Sequence, residues 1–180
     1  MKTLRILFLL TFSAFCQAQT TQTNFEKQLL ELLKYSDNEF KEIKGEAIQG
    51  TTDEFKSTYK MDGAIKNIIW YMGWKYFIAT YPKTEDSTEA YTAFGKMQES
   101  IKKVLGDNAT VKATEEEKAL TSSIYIKRKT IQYRKHNGES TAYYVLIELE
   151  RSSSDGYAFT EKVRHTKWAI TIRIYQDFEL

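Results

Sequence analysis

Glu148 and Glu150 are the residues whose type and spacing most resemble catalytic machinery. They sit in a run that alternates as Thr141, Tyr143, Val145, Ile147 and Leu149, so on a strand both carboxylates share one face, about 7 Å apart. A carboxylate pair at that separation is the arrangement of a glycoside hydrolase. A structural role accounts for the pair better. If residues 124 to 134 form the preceding strand and Asn137-Gly138 its two-residue turn, Lys127 falls opposite Glu148 and Ile131 opposite Tyr144, and the cross-strand charge pair contributes about a few tenths of a kcal/mol.

The remaining candidates are sparse. His136 abuts the Asn137-Gly138 turn and His165 lies among Arg164, Thr166 and Lys167. Neither has an Asp or Cys nearby at ligand spacing, so both read as solvated surface histidines. Phosphate-loop, zinc-helix, nucleophile-elbow, Cys-x-x-Cys and calcium-loop patterns are missing from the sequence. No catalytic residue, metal or cofactor is therefore expected. Lys127-Arg128-Lys129, with Arg134, Lys135 and the nearby Tyr125, Tyr133 and Tyr143, has the basic and aromatic mixture used for single-stranded nucleic acid. Strand alternation splits that run, however, sending Lys127 and Lys129 to one face and Arg128 to the other. Such a run reads more simply as a solvated strand whose lysines resist aggregation.

The elements that must position these residues follow from periodicity. Thr23 and Glu26 form a capping-box pattern, and Phe25, Leu29, Leu32, Leu33 and Phe40 recur at helical spacing, which predicts a helix from about Asn24 to Ser36. Residues 42 to 81 read as a four-stranded antiparallel meander. Gly45 marks a bulge or close backbone approach. Asp62-Gly63 is a two-residue hairpin turn that places Met61 opposite Ala64, Tyr59 opposite Lys66 and Phe55 opposite Trp70. Pro82 ends the fourth strand. A second amphipathic helix carries Ala90, Phe94, Met97, Ile101, Val104 and Leu105, opens at Asp86 or Ser87 and closes at Gly106. Residues 107 to 120, with Glu115-Glu116-Glu117-Lys118, read as a solvated loop or short helix face. Two strands around Asn137-Gly138, a turn at Ser152 to Gly156 and a last strand holding Trp168, Ile170, Ile172 and Ile174 complete the chain. The predicted class is α+β, antiparallel sheet with two amphipathic helices in the order α-β4-α-β3, with a possible internal duplication.

That reading gives the first meander two apolar faces. Phe55, Tyr59, Met61, Ala64, Ile68, Trp70, Phe77, Ala79 and Tyr81 form one. Ile65, Ile69, Tyr71, Trp74, Tyr76 and Ile78 lie on the other, beside Lys56, Thr58, Lys60 and Asn67. A solvated back should be polar, so the second helix or second sheet region is expected to cover this face. Left uncovered, it is a contact surface, and Tyr71, Trp74, Tyr76 and Ile78 are then the candidate ligand-binding residues.

Export sets the compartment. Lys2 and Arg5 precede an apolar stretch from Ile6 to Phe15, far short of the roughly twenty residues that span a bilayer, and Cys16-Gln17-Ala18 fits a signal-peptidase exit. Cleavage after Ala18 leaves residues 19–180 as a single α+β domain, periplasmic or extracellular, without a thiol or a transmembrane segment; lipidation at Cys16 is disfavoured by Phe15. The chain has 26 Lys+Arg and 24 Asp+Glu; removing Lys2 and Arg5 leaves 24 of each, and a neutral chain gives no electrostatic reason to expect nucleic acid as a partner. The expectation is a non-enzymatic module that binds an apolar small ligand or a protein partner. The alternatives are a small exported hydrolase using carboxylates and an inhibitor or interaction protein acting through an edge strand.

Overall fold

The computed structural model describes residues 22–121, 124–136, 141–158 and 161–178, with the backbone alone for 155–158, 161–163 and 178. The expected leader and the Asn137-Gly138 turn lie outside the described residues.

Helix α1 spans Asn24–Ser36. Its capping box forms: Thr23 Oγ1 accepts from the Glu26 N–H and a Glu26 carboxylate oxygen accepts from the Thr23 N–H, each at 3.2 Å. The chain leaves α1 through two non-glycine residues at positive φ, Glu39 (52°) and Phe40 (59°). That conformation costs about 1–2 kcal/mol per residue. It is offset by burial of the Phe40 ring, 1 % exposed, and by the Tyr71 hydroxyl, which donates to the Glu39 carbonyl at 2.5 Å. A 3-10 turn, Lys41–Ile43, leads into β1 (Lys44–Ala47), β2 (Glu54–Ser57), β3 (Lys66–Met72) and β4 (Trp74–Thr80). Helix α2, Ser87–Leu105, starts where the Asp86 carboxylate accepts from the N–H groups of Thr88 and Glu89. Strands β5 (Thr110–Ala119), β6 (Ile124–His136), β7 (Thr141–Ala158) and β8 (Glu161–Phe178) follow.

All eight strands form one antiparallel sheet, ordered β1-β2-β3-β4-β8-β7-β6-β5. The class is α+β, and no helix among the described residues is long and apolar enough to cross a membrane. The strand count after α2 is four rather than the expected three, because the region read as a loop or helix face is β5. Hydrophobic alternation is missing there, and charge supplies the register instead. Glu115, Glu116 and Glu117 lie opposite Lys129, Arg128 and Lys127, a favourable cross-strand pattern. Likewise, the chain does not turn at Ser152 to Gly156; β7 runs through to Ala158, with Ser153 paired to Thr166.

Two registers also differ from expectation. Phe55 pairs with Ile69 and Glu54 with Trp70, one residue away from the expected Phe55–Trp70 match. Asp62-Gly63 does form a turn, with the Ala64 N–H donating to the Met61 carbonyl at 3.1 Å, but the turn does not join two directly paired strands as a hairpin. β2 stops at Ser57, and the following loop tucks inward, burying Met61 to 1 % exposure while the Met61 N–H donates to Asn67 Oδ1 at 3.0 Å. Asn24 and Gln28 of α1 hold Asp62 from above. A one-residue slip turns every side chain of β3 to the other face, so Ile69 and Tyr71 point toward the helices while Ile68 and Trp70 point away. In the second hairpin Ile131 pairs with Ile147 and Thr130 with Glu148, replacing the expected Ile131–Tyr144 and Lys127–Glu148 pairs. This register sets the buried Ile131 and Tyr133 on the same face as Val145, Ile147 and Leu149; the expected one would have turned them outward.

The contiguous hydrophobic cluster lies on one face. Ile69, Phe77, Ile174, Val145 and Tyr133 are successive cross-strand partners from β3 to β6, each 0 % exposed. Leu29, Leu32 and Leu33 of α1, with Ala90, Phe94, Ile101 and Leu105 of α2, cover that row and its neighbours. The helices are tied by Lys103, whose Nζ lies 2.9 Å from the buried Glu26 carboxylate. A hydrogen bond from Lys103 holds that carboxyl below the usual range against the opposing effect of burial.

Gly45 sits at the irregularity where β1 shifts register against β2, and a Cβ there would stand 2.8 Å from the Lys56 carbonyl oxygen. Gly45→Ala should therefore cost about 1–3 kcal/mol, measured as a lower urea midpoint with faster amide exchange in β1. The lowered Glu26 pKa adds stability that is complete above the unfolded carboxylate range and disappears as pH falls through the folded value. Lys103→Met should accordingly be less stable than the parent at neutral pH, with the two unfolding midpoints converging in acid.

Candidate functional site

With both helices on one face, the other face of the sheet carries no described element. Strand alternation delivers to it a single row of rings across four adjacent strands. Trp70 of β3 is the cross-strand partner of Tyr76 of β4, and Tyr144 of β7 is that of Tyr175 of β8. The ring centroids step across the sheet at 5.9 Å from Trp70 to Tyr76, 4.8 Å from Tyr76 to Tyr175 and 4.6 Å from Tyr175 to Tyr144, the last pair stacked with planes 5° apart. Trp74 meets Tyr175 edge-on at 5.8 Å, and the Arg134 guanidinium lies 5.9 Å from the Tyr144 ring centroid at the far end. Offset and edge-on aromatic contacts of this kind add about 0.5–1.5 kcal/mol each beyond the area they bury.

The Tyr76 and Tyr175 phenols stay neutral. Burial raises the Tyr175 pKa, with Tyr76, Tyr144 and Asp177 reinforcing it; burial also raises that of Tyr76, partly opposed by Arg173. Their hydroxyls therefore remain both donors and acceptors at physiological pH.

Of the four residues singled out from sequence, the structure brings three together. Trp74, Tyr76 and Ile78 alternate along β4 on the uncovered face, with Trp74 at 46 % exposure and Tyr76 and Ile78 half-buried. Tyr71 lies on the opposite, helix-covered face because of the β3 slip. There its hydroxyl serves the Glu39 turn and its ring packs edge-on against Phe55 at 5.7 Å, with Lys44 Nζ over both rings. Neither the second helix nor the second sheet region covers the Trp74 face, contrary to expectation. The second helix joins the first on the far side, and β5 to β8 extend the same sheet edgewise. Sequence reading missed Trp70, placed on the wrong face by the register error, and Tyr144, Tyr175 and Arg134, which come from the other meander. The alternation of Tyr175 with Arg173 and Thr171 was the available signal; the β4–β8 pairing that uses it leaves no local trace.

An ionic band borders the rings on the same face. Glu148, 7 % exposed, accepts from Arg173 at 3.0 and 3.1 Å and from the Thr130 hydroxyl at 3.4 Å. Glu150 pairs with Arg128 at 2.8 Å. Each carboxylate of the suspected catalytic pair is thus engaged by its own arginine, and the paired arginines leave Lys127 to the other face. His136 and His165 are both exposed, at the end of β6 and toward the distal end of β8, and among the described residues no group of His, Cys, Asp or Glu is set to hold a metal ion.

No family model, curated protein or solved structure matches this chain, so the role of the face rests on its own geometry. Glu148→Gln should strand Arg173 beside a neutral amide and cost about 2–3 kcal/mol, read from urea unfolding. The double variant Glu148→Gln with Arg173→Met should recover a large part of that loss.

Proposed function

We propose that this chain is an exported, non-enzymatic binding module that meets a protein partner through the aromatic back of its sheet. The observation that carries the reading is the continuous ring row Trp70–Tyr76–Tyr175–Tyr144, with Trp74 and Arg134, on a face no described helix covers. Tyr, Trp and Arg are the side chains that dominate protein interfaces energetically. The paired charges of Arg173–Glu148 and Arg128–Glu150 suit a polar rim around an apolar centre. A protein fits better than an apolar small ligand because the row is spread over a broad sheet surface rather than enclosed, and small ligands favour concave sites that bury most of their surface. Engagement of Glu148 and Glu150 by arginines supports a binding role over hydrolysis. Export is read from the basic and apolar residues that open the sequence. Each half of the described chain is one helix followed by four strands, and the halves meet where β4 pairs with β8; this arrangement supports an internal structural duplication, which would explain how one sheet face collects aromatic residues from both halves.

The test is capture of partners from the native extracytoplasmic compartment on immobilised mature chain. Trp74→Ala with Tyr76→Ala should weaken recovery of the captured protein by about tenfold or more, whereas Lys34→Ala, on the exposed side of α1, should leave it unchanged. Equal recovery by both variants would overturn the proposed surface, and substrate turnover by the purified chain would overturn the non-enzymatic reading.

A further inference from the structure

The helix-covered face is not sealed along its whole length. Beyond the start of α2 the sheet continues, and strand alternation brings Trp168 of β8, Arg151 of β7 and Lys127 of β6 side by side as cross-strand neighbours. Lys129 stands two residues along from Lys127, beside Leu149. Tyr91 of α2 closes over Trp168, with ring centroids 5.1 Å apart. These residues and Glu115 line a cleft of about 130 Å³, several times the roughly 30 Å³ occupied by a liquid water molecule. A second cavity of about 300 Å³ shares Trp168 and is lined by Ala90, Ala93 and Met97 of α2 and by Ile170.

The charges in the cleft do not balance. Among the described residues, Lys127 and Lys129 both reach only Glu115, at 3.8 and 3.9 Å, which are long ion pairs. Arg151 makes no ion pair with a described residue; its guanidinium lies 5.9 Å from the Trp168 ring centroid, and its buried Nε has no hydrogen-bond partner. Glu117, the cross-strand neighbour of Lys127, does not line the cleft. Three cations therefore surround one carboxylate beside an aromatic pair. An incoming anion would gain the Coulombic attraction of all three and charge-assisted hydrogen bonds from the arginine.

We infer that this cleft binds a small organic oxyanion, its charged group held between Lys127, Lys129 and Arg151 and its apolar part set against Trp168 and Tyr91. The two halves of the site come from the same alternation that splits Lys127-Arg128-Lys129. Arg128 goes to the back of the sheet and pairs with Glu150, while both lysines come forward, where Glu115 is the described acid within ion-pair distance and Glu117, though cross-strand from Lys127, does not line the cleft. The site is separate from the ring row and does not depend on it.

The experiment follows the Trp168 indole N–H by NMR in the full chain during titration with phenyl phosphate, benzoate, inorganic phosphate and benzyl alcohol. Either ring-bearing anion should shift the signal saturably, and the comparison of the two identifies the preferred oxyanion. Inorganic phosphate should bind at least about tenfold more weakly, and benzyl alcohol should produce no saturable shift. Arg151→Met should weaken binding about tenfold. Lys127→Met with Lys129→Met, at side chains 44 % and 42 % exposed, should do the same without threatening the fold. The inference is overturned if neither ring-bearing anion saturates below about 10 mM, if the lysine variant binds as tightly as the parent, or if the neutral alcohol or bare phosphate matches the ring-bearing anions.

Discussion

The pairing of β4 with β8 is the constraint on which the molecule depends. It joins strands that belong to different meanders, through Phe77↔Ile174, Ile78↔Arg173, Ala79↔Ile172 and Thr80↔Thr171. On one side this ladder places Phe77 beside Ile174 under the helices, and on the other it brings Tyr76 against Tyr175. The hydrophobic core and the ring row are two sides of one register. A slip of a single residue would exchange them, sending rings into the space that α1 and α2 fill and aliphatic side chains into water. Burial of fully enclosed residues on both strands makes that exchange costly, so core packing fixes the geometry of the uncovered face as well.

The same two-residue period organises the charges. A single basic run on β6 serves three neighbours: Arg128 points back to Glu150 on β7, and Lys127 and Lys129 point forward to Glu115 on β5 and to the cleft beside Trp168. Glu148 is likewise claimed by Arg173 from the opposite neighbour of β7. Residues that look like chemistry in a linear sequence become a lattice of cross-strand pairs once each is assigned a face. The site character of the molecule lies where that lattice leaves something over, as aromatic surface on the back and as positive charge at the front.

Much of the fold was legible before any coordinates. The capping box at Thr23, the helix over Asn24–Ser36, the α2 caps at Asp86 and Gly106, the close approach at Gly45, and the alternation of Trp168, Ile170, Ile172 and Ile174 all arise from local chemistry, and local chemistry is written in adjacent residues. Errors entered where a distant contact decided the outcome. Asp62-Gly63 has the composition of a tight hairpin and does turn the chain, yet Met61 is buried in the core under α1 and the residues beside the turn leave the β2–β3 ladder. Thr110–Ala119 has no apolar alternation, and its strand state comes from a complementary run downstream, in which Glu115, Glu116 and Glu117 meet Lys129, Arg128 and Lys127. For the candidate site, Trp74, Tyr76 and Ile78 could be read from alternation on one strand, whereas Trp70 required the β3–β4 register that pairs it with Tyr76 and Tyr144 and Tyr175 required the central pairing. Tyr71 was assigned to the wrong side for the same reason that Trp70 was.

The two margins of the sheet are poorly suited to edgewise pairing with another strand. β1 is only four residues long and is interrupted by a register shift against β2, which leaves a broken template for any incoming strand. β5 is longer and wholly exposed, but three consecutive glutamates run along it, so a second copy laid antiparallel with those glutamates in register would meet like charge. Growth into a fibril by edgewise stacking is thereby discouraged at both ends.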